Sequence, residues 1–191
     1  MSAMARHIVG IGGTFRPRSS SEMLVRAVLG ECEGLGARTT MFDGPALAAL
    51  PHFNPERPER TPEQAAFVAA LRDADALVIG TPGYHGGVSG VVKNAIDLLE
   101  DLRGDERVYF DGMPVGLIVS AAGWQAGGVT LAALRGIVHA MRGWPTPAGI
   151  AINSIAQKPF GADGALADAG IAGQIATMAR QIMAFRLEPV A

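Results

Sequence analysis

Two stretches, Ala76–Gly80 (ALVIG) and Pro114–Ser120 (PVGLIVS), are apolar almost without interruption, and each runs into a glycine-rich loop. A strand with one face in water alternates apolar and polar residues. A continuous apolar run of this length belongs to a strand covered on both faces, and so to a parallel sheet crossed over by helices. The rest of the chain fits that requirement. A strand is expected at His7–Ile11, then a helix over Ser20–Gly34 with Met23, Leu24, Ala27 and Val28 on one side, stopped by Gly34 and Gly36. A short strand follows at Arg38–Phe42. Asp43–Arg60 is rich in proline and charge and reads as a long surface loop. Thr61-Pro-Glu-Gln64 is a helix start, with Thr61 as N-cap, Pro62 in the first helical position and Gln64 closing a capping box; the helix it opens ends near Asp73.

Further on, helices are expected over Ser89–Leu102 and through Leu131, Leu134, Val138 and Met141, with a polar loop over Arg103–Gly112. A last strand lies at Pro147–Ile152, and a final amphipathic helix carries Ile171, Ile175, Met178, Ile182 and Phe185 on one face. Five strands alternating with five helices make one α/β domain over residues 1–191, a three-layer sandwich around a five-stranded parallel sheet. Five strands suit the flavodoxin-like order 2-1-3-4-5 better than the six-stranded dinucleotide fold. Val91, Val92, Ala95, Ile96, Leu98 and Leu99 make the third helix apolar on more than one side, which points to a subunit interface.

Composition removes several function classes. The 191 residues carry a net charge of −2 and no basic block, so nucleic acid is a poor partner. Cys32 is the single cysteine, which excludes an internal disulfide and a multi-cysteine metal site. No apolar stretch reaches the roughly 20 residues a membrane span needs, and the N-terminus lacks the long apolar run of a signal peptide. The expectation is a cytoplasmic protein with no membrane partner.

In a sheet of this order, ligands sit beyond the carboxyl ends of the strands at the switch between the first and third. The loops after strands 1, 3 and 4 line that crevice. The first reads GIGGTFRPRSSSE, Gly10–Glu22. A helix N-terminus exposes unpaired N–H groups and the positive end of its dipole. Ser19, Ser20 and Ser21 add hydroxyls there, and Arg16 and Arg18 add charge, a composition built to cradle a phosphate monoester. An ordinary cap, Ser19 with Glu22, accounts for one serine and the glutamate but not for two arginines and the other serines. G-x-G-x-x-G fails because Phe15 holds its last position, and no lysine follows for a P-loop, so a standard NAD fold and a nucleoside triphosphatase are disfavoured.

The second loop begins Thr81-Pro-Gly-Tyr-His-Gly-Gly87. Its glycines let backbone approach a flat ligand, Tyr84 offers an aromatic face and His85 a titratable edge; a plain turn into the next helix is the alternative. Lys93 and Asp97 stand one turn apart and read as a structural ion pair, and Asn94 as a tie for a loop. In the third loop, Ser120 can hydrogen-bond a ligand, and Trp124 is open between core, ligand wall and interface anchor.

These residues resemble the NAD(P)H-dependent FMN reductases of flavodoxin-like fold. The first-loop pattern of that family, G-S-x-R-x-x-S-x-[NST], is met by Gly13, Arg16, Ser19 and Ser21, with Thr14 in place of the usual serine. A second pattern, P-x-Y-x-G-x-x-[SP]-G-x-[LFV]-K-N-x-[ILF]-D, is met by Pro82, Tyr84, Gly86, Ser89, Gly90, Val92, Lys93, Asn94, Ile96 and Asp97. The resemblance covers roughly residues 6 to 150. It implies FMN, with Arg16, Ser19 and Ser21 on its phosphate, Pro82, Tyr84, His85 and Gly86 on the isoalloxazine, and Ser120 and Gly123 near the flavin. Gly13, Thr14, Arg18, Ser20 and Gly83 complete the expected site. Many relatives have an acidic residue at the place of Gly83 and Asn at that of His85.

The implied reaction is hydride transfer from NADPH or NADH to the flavin and onward electron delivery to a small-molecule acceptor: free flavin for a flavin-dependent monooxygenase, a quinone or similar. No catalytic side chain is expected, His85 being the one candidate. Arg16 and Arg18 bear on the choice between NADPH and NADH, through the 2′-phosphate. The resemblance also implies a homodimer or homotetramer. The competing readings are a flavodoxin-type FMN electron carrier that does not oxidise NAD(P)H and a non-flavin module that binds a phosphorylated metabolite.

Overall fold

A computed structural model describes residues 5–187. The sheet contains β1 (His7–Gly12), β2 (Arg38–Phe42), β3 (Ala76–Tyr84), β4 (Gly87–Val88), β5 (Pro114–Ala121) and β6 (Trp144–Asn153). The helices are α1 (Ser20–Gly34), α2 (Gly44–Ala48), α3 (Pro62–Arg72), α4 (Gly90–Asp97), α5 (Trp124–Ala140) and α6 (Ala169–Ala184), and a 3-10 turn over Leu98–Leu102 continues α4. The parallel strands run in the order β2-β1-β3-β5-β6, the expected 2-1-3-4-5 winding. The sheet has six strands rather than five, because β4 pairs antiparallel with the end of β3, Gly83 opposite Val88 and Tyr84 opposite Gly87. His85 and Gly86, at φ 53° and 77°, form the left-handed pair that a two-residue primed hairpin turn needs.

Successive strand residues point to opposite faces, so the apolar runs feed two cores. Val9, Ile11, Leu77, Ile79, Val115, Leu117 and Val119 pack on the side of α3, α4 and α5. Ile8, Ala76, Val78, Ile118, Ile150 and Ile152 pack with α1 and α6. The expected stripe of the last helix is buried at Ile171, Ile175, Met178 and Ile182; Phe185 lies at its C-cap, its ring 6.0 Å from that of Trp144. The α1 end is a Schellman motif: Ala37 N–H donates to Cys32 O at 3.0 Å and Gly36 N–H to Glu33 O at 2.9 Å. The Thr61–Gln64 capping box forms in both directions, at 3.3 and 3.0 Å.

Three expectations are corrected. The Asp43–Arg60 segment is not all loop: Asp43 accepts from Ala46 N–H at 3.2 Å and opens the five-residue α2, with Pro45 in its first turn. The apolar surplus of the third helix does not make an outer face. After Asp97 the helix tightens to three residues per turn, and Val92, Ala95, Ile96, Leu98 and Leu99 are all buried in the chain's own core, Val91 alone of that set remaining half-buried. The last parallel strand runs from Trp144, earlier than Pro147. As the edge strand it tolerates Pro145 and Pro147, and its register with β5 shifts between Val115 and Leu117.

At the amino ends of the strands, Arg6 donates to Ile182 O and Phe185 O, both at 2.7 Å. His7 is 4% exposed, its Nε2 2.9 Å from Thr40 Oγ1 and its Nδ1 without a partner among the described residues. Burial, with Arg38 nearby, holds its pKa below the ordinary 6.5. Cys32 is fully buried, and burial beside Glu31 and Glu33 pushes its thiol up to about 11. Among the described residues, no helix is long and apolar enough to cross a membrane, and no group of three or more His, Cys, Asp or Glu side chains is placed to hold a metal ion.

Candidate functional site

The carboxyl ends of β1, β3 and β5 open into one crevice of about 540 Å³. Its position follows from how closely α1 lies on the sheet. A Cβ added at Gly80 would stand 2.5 Å from Val25 Cγ2 and 2.8 Å from Ser21 O, and one at Gly12 would stand 2.8 Å from Val25 Cγ2. Bare glycines at these two paired strand positions let the start of α1 rest on the sheet, which sets its N-terminus at the mouth of the crevice.

That mouth is lined by Thr14, Arg16, Ser19, Ser20 and Ser21. Ser19 is the N-cap and accepts from Glu22 N–H at 3.4 Å. Its hydroxyl is 3.3 Å from that of Ser21, and both residues are buried. The cap engages Glu22 N–H, and Ser20 and Ser21, whose N–H groups an α-helix cannot satisfy internally, line the crevice. Thr14 Oγ1 accepts from Arg16 N–H at 3.1 Å and folds the loop so that Arg16 lies on the rim. Glu22 does not close a capping box on Ser19. Its carboxylate accepts from Arg18 N–H at 3.1 Å and pairs with Arg26 at 2.9 Å.

The second wall is the β3–β4 hairpin, with Pro82, Gly83, Tyr84 and His85 on the crevice. Thr81, fully buried, fastens this loop: its Oγ1 donates to Pro82 O at 3.0 Å and accepts from Ser89 N–H at 3.0 Å. A Cβ on Gly83 would meet Ala121 Cβ at 3.0 Å and Thr130 Oγ1 at 3.1 Å, so the hairpin lies directly against β5 and α5. Tyr84 is 59% exposed, its ring available to a ligand. The third wall comes from Ser120 and Gly123, joined by Ala121, Ala122 and Ala126.

Eleven of the fourteen expected site residues thus line one crevice, and three do not. Gly13 lies behind the loop, against Gly44. Gly86 serves the hairpin turn through its positive φ. Arg18 adopts φ 54° and sends its guanidinium to Gly164, into a separate cavity with Met23, Phe160 and Leu166. The spare cation that the sequence offers for a 2′-phosphate is therefore turned away from the crevice. Lys93 and Asp97 pair at 2.6 Å on the surface. Asn94 ties down the 50–53 segment, accepting from Phe53 N–H at 2.8 Å and donating to Leu50 O and Pro51 O at 3.3 and 3.2 Å. Trp124 is 60% exposed at the start of α5, which excludes a core role.

Sequence reasoning missed Ser154. It sits just past β6 and lines the crevice, bonded through its N–H to Ala121 O at 2.8 Å. The signal was available, since the carboxyl end of the next parallel strand borders the same crevice; the strand's early expected end hid it.

The donor set suits a flat ligand with an anionic tail. The tail end offers a guanidinium, three serines and a helix N-terminus, and the body end offers glycine and alanine backbone with an exposed tyrosine ring. Comparison with known proteins agrees with this shape. The family model described as NADPH-dependent FMN reductase matches residues 6–157. An FMN-dependent NADPH-azoreductase of Staphylococcus aureus is 42% identical over 78 residues, 41% of this chain and 38% of that protein's length. Among solved structures, a flavoenzyme NAD(P)H:(acceptor) oxidoreductase from Paracoccus denitrificans superposes with TM-score 0.76 at 19% identity, over 94% of this chain and 98% of the other. An NADH:FMN oxidoreductase in its apo form gives TM-score 0.70 at 16% identity, over 97% and 92%. At such identities the structural likeness speaks to the fold alone.

Proposed function

Because the chain belongs to the NADPH-dependent FMN reductase family, we propose that it is an NAD(P)H-dependent oxidoreductase that holds FMN in this crevice and passes electrons to a small-molecule acceptor of the quinone or azo class. The observation that carries the reading is the convergence of Arg16 and Ser19–Ser21 with the Pro82–His85 hairpin and the Ser120–Gly123 turn on one cavity. Arg16 and the N-terminus of α1 bind the phosphate, with Ser19, Ser20 and Ser21 supplying hydroxyl donors. Pro82, Gly83 and Tyr84 seat the ring system, and Ser120, Gly123 and Ser154 close the ribityl side. FMN, when bound, supplies the capacity to take a hydride and release electrons. The protein's part is to bind, orient and shape access. Phe15 after β1, Tyr84 on the hairpin and Trp124 at the start of α5 are 72%, 59% and 60% exposed, and such aromatic side chains favour a homo-oligomer in which a second copy covers them.

The test is direct. Purified protein titrated with FMN should quench flavin fluorescence with a stoichiometry of one per chain, and the loaded protein should oxidise NADPH or NADH when a quinone is added. Binding without nicotinamide oxidation would make the protein an electron carrier. No FMN binding would leave the crevice to another phosphorylated ligand.

A further inference from the structure

Glu22 is the only acidic residue between Gly10 and Val25, and it is buried, 4% exposed, in the opening turn of α1. A carboxylate there suits the helix dipole, yet it repels an anion bound at the same helix end. It does not line the crevice: with Arg18 and Arg26 it borders a separate cavity. Its influence on a ligand in the crevice therefore runs through the residues it holds, and these frame the loop that carries Arg16. After Arg16, Glu22 Oε2 accepts from Arg18 N–H at 3.1 Å. Arg18 sits at φ 54°, a left-handed conformation that a residue other than glycine keeps only where its surroundings hold it. Before Arg16, Gly13 lies over the base of the same side chain: a Cβ added there would stand 3.4 Å from Glu22 Cβ and 3.1 Å from Gly44 N. Asp43, next to Gly44, accepts from Arg26 Nη2 at 2.8 Å, and Arg26 Nε donates to Glu22 Oε1 at 2.9 Å. Arg26 thus balances the charge of Glu22 and ties it to the start of α2.

We propose that Glu22 is the positioning residue of the phosphate cradle. By holding Arg18 in the left-handed conformation, it turns the loop so that Arg16 lines the crevice while the guanidinium of Arg18 goes to Gly164. The assignment rests on the FMN binding proposed above. A carboxylate outside the site then decides which of two neighbouring arginines meets the phosphate. It thereby sets how strongly the chain prefers FMN to riboflavin, which has the same ring system and ribityl chain but no phosphate. Without the bond to Glu22, Arg18 relaxes to negative φ, the loop changes course and Arg16 gives up its charge-assisted contact. The contacts of the Pro82–His85 hairpin with the ring system do not depend on this loop, so the loss falls on the phosphate alone.

The test titrates the full chain, freed of flavin, with FMN and with riboflavin, and follows flavin fluorescence. Glu22→Met keeps the length of the side chain and removes both acceptor oxygens. Its FMN dissociation constant should rise about tenfold or more while that for riboflavin stays within twofold of wild type. Adding Arg18→Gly to Glu22→Met should recover most of the lost preference for FMN, because glycine takes φ 54° with nothing to hold it. Should Glu22→Met fail to fold, as judged by circular dichroism, Glu22→Gln replaces it; glutamine can accept from only one of the two donors, and the preference for FMN should fall at least threefold. An unchanged ratio of the two dissociation constants in the folded variant overturns the proposal. Equal loss of both flavins overturns it too, since Glu22 then only stabilises the fold, and so does an FMN loss that Arg18→Gly leaves in place. Wild-type protein that binds neither flavin refutes the parent reading instead, a result that the first titration tells apart.

Discussion

Gly80→Ala is the sharpest probe of how α1 reaches the crevice. The added methyl would lie 2.5 Å from Val25 Cγ2 and 2.8 Å from the carbonyl oxygen of Ser21. Replacing a strand glycine ordinarily helps by about 0.5–1 kcal/mol through backbone entropy. Overpacking in a filled interior costs about 1–3 kcal/mol, and here one of the two obstructing atoms is backbone that no rotamer change removes. The clash should win, with a net loss of about 1–2 kcal/mol in urea unfolding. Relief requires α1 to lift from the sheet, which carries Ser20 and Ser21 away from the phosphate end; FMN affinity should fall roughly tenfold, about 1.4 kcal/mol. Gly12→Ala is the control. Its nearest obstruction is Val25 Cγ2 at 2.8 Å, and the Ser21 carbonyl stands off at 3.5 Å. Adding Val25→Ala should therefore rescue most of the loss at residue 12, with a coupling of about 1 kcal/mol or more, and only part of the loss at residue 80. A Gly80→Ala protein with wild-type unfolding and FMN affinity, or one fully rescued by Val25→Ala, would refute the close-packing argument.

Arg16→Ala should weaken FMN binding by roughly 1.5–3 kcal/mol, the scale of a charge-assisted hydrogen bond, while Arg18→Ala leaves it unchanged; fluorescence titration of both separates the cation on the crevice from the one turned away. His7 is held neutral in the fold, so below pH 6.5 the unfolded chain takes up a proton that the native chain refuses. Stability is complete above that value and falls as pH drops toward the lower native pKa. His7→Gln should flatten this part of the pH–stability curve. Cys32, buried with its thiol pushed up to about 11, should ignore a thiol reagent at pH 8 in native protein and react fully in denaturant.

The parts of the fold legible in the sequence were those where one physical cause dominates. Ala76–Gly80 and Pro114–Val119 had no polar side chain to offer water, so a parallel sheet covered on both faces followed from burial alone. Thr61 and Gln64 formed their box because both partners lie within one helical turn. The site was legible to the same degree: Arg16, the three serines and Pro82–His85 meet because the winding brings the loops together. What stayed hidden depends on tertiary context. Arg18 looked equivalent to Arg16, but its backbone N–H is taken by the buried Glu22 carboxylate and its side chain follows to the other side. The short α2 was masked by the prolines and charges of the segment around it, and the helix through Val91–Leu99 looked too apolar for one core because its change of period at Leu98 has no local signal.

The guanidinium of Arg6, bonded to the carbonyls of Ile182 and Phe185, moors the beginning of β1 to the end of α6 on the rim opposite the crevice. A fusion or surface tether attached through either of these two segments would leave the ligand side facing outward. A dehydrogenase that regenerates NADPH, grafted there through a flexible linker, would recycle the reductant without shading the entrance.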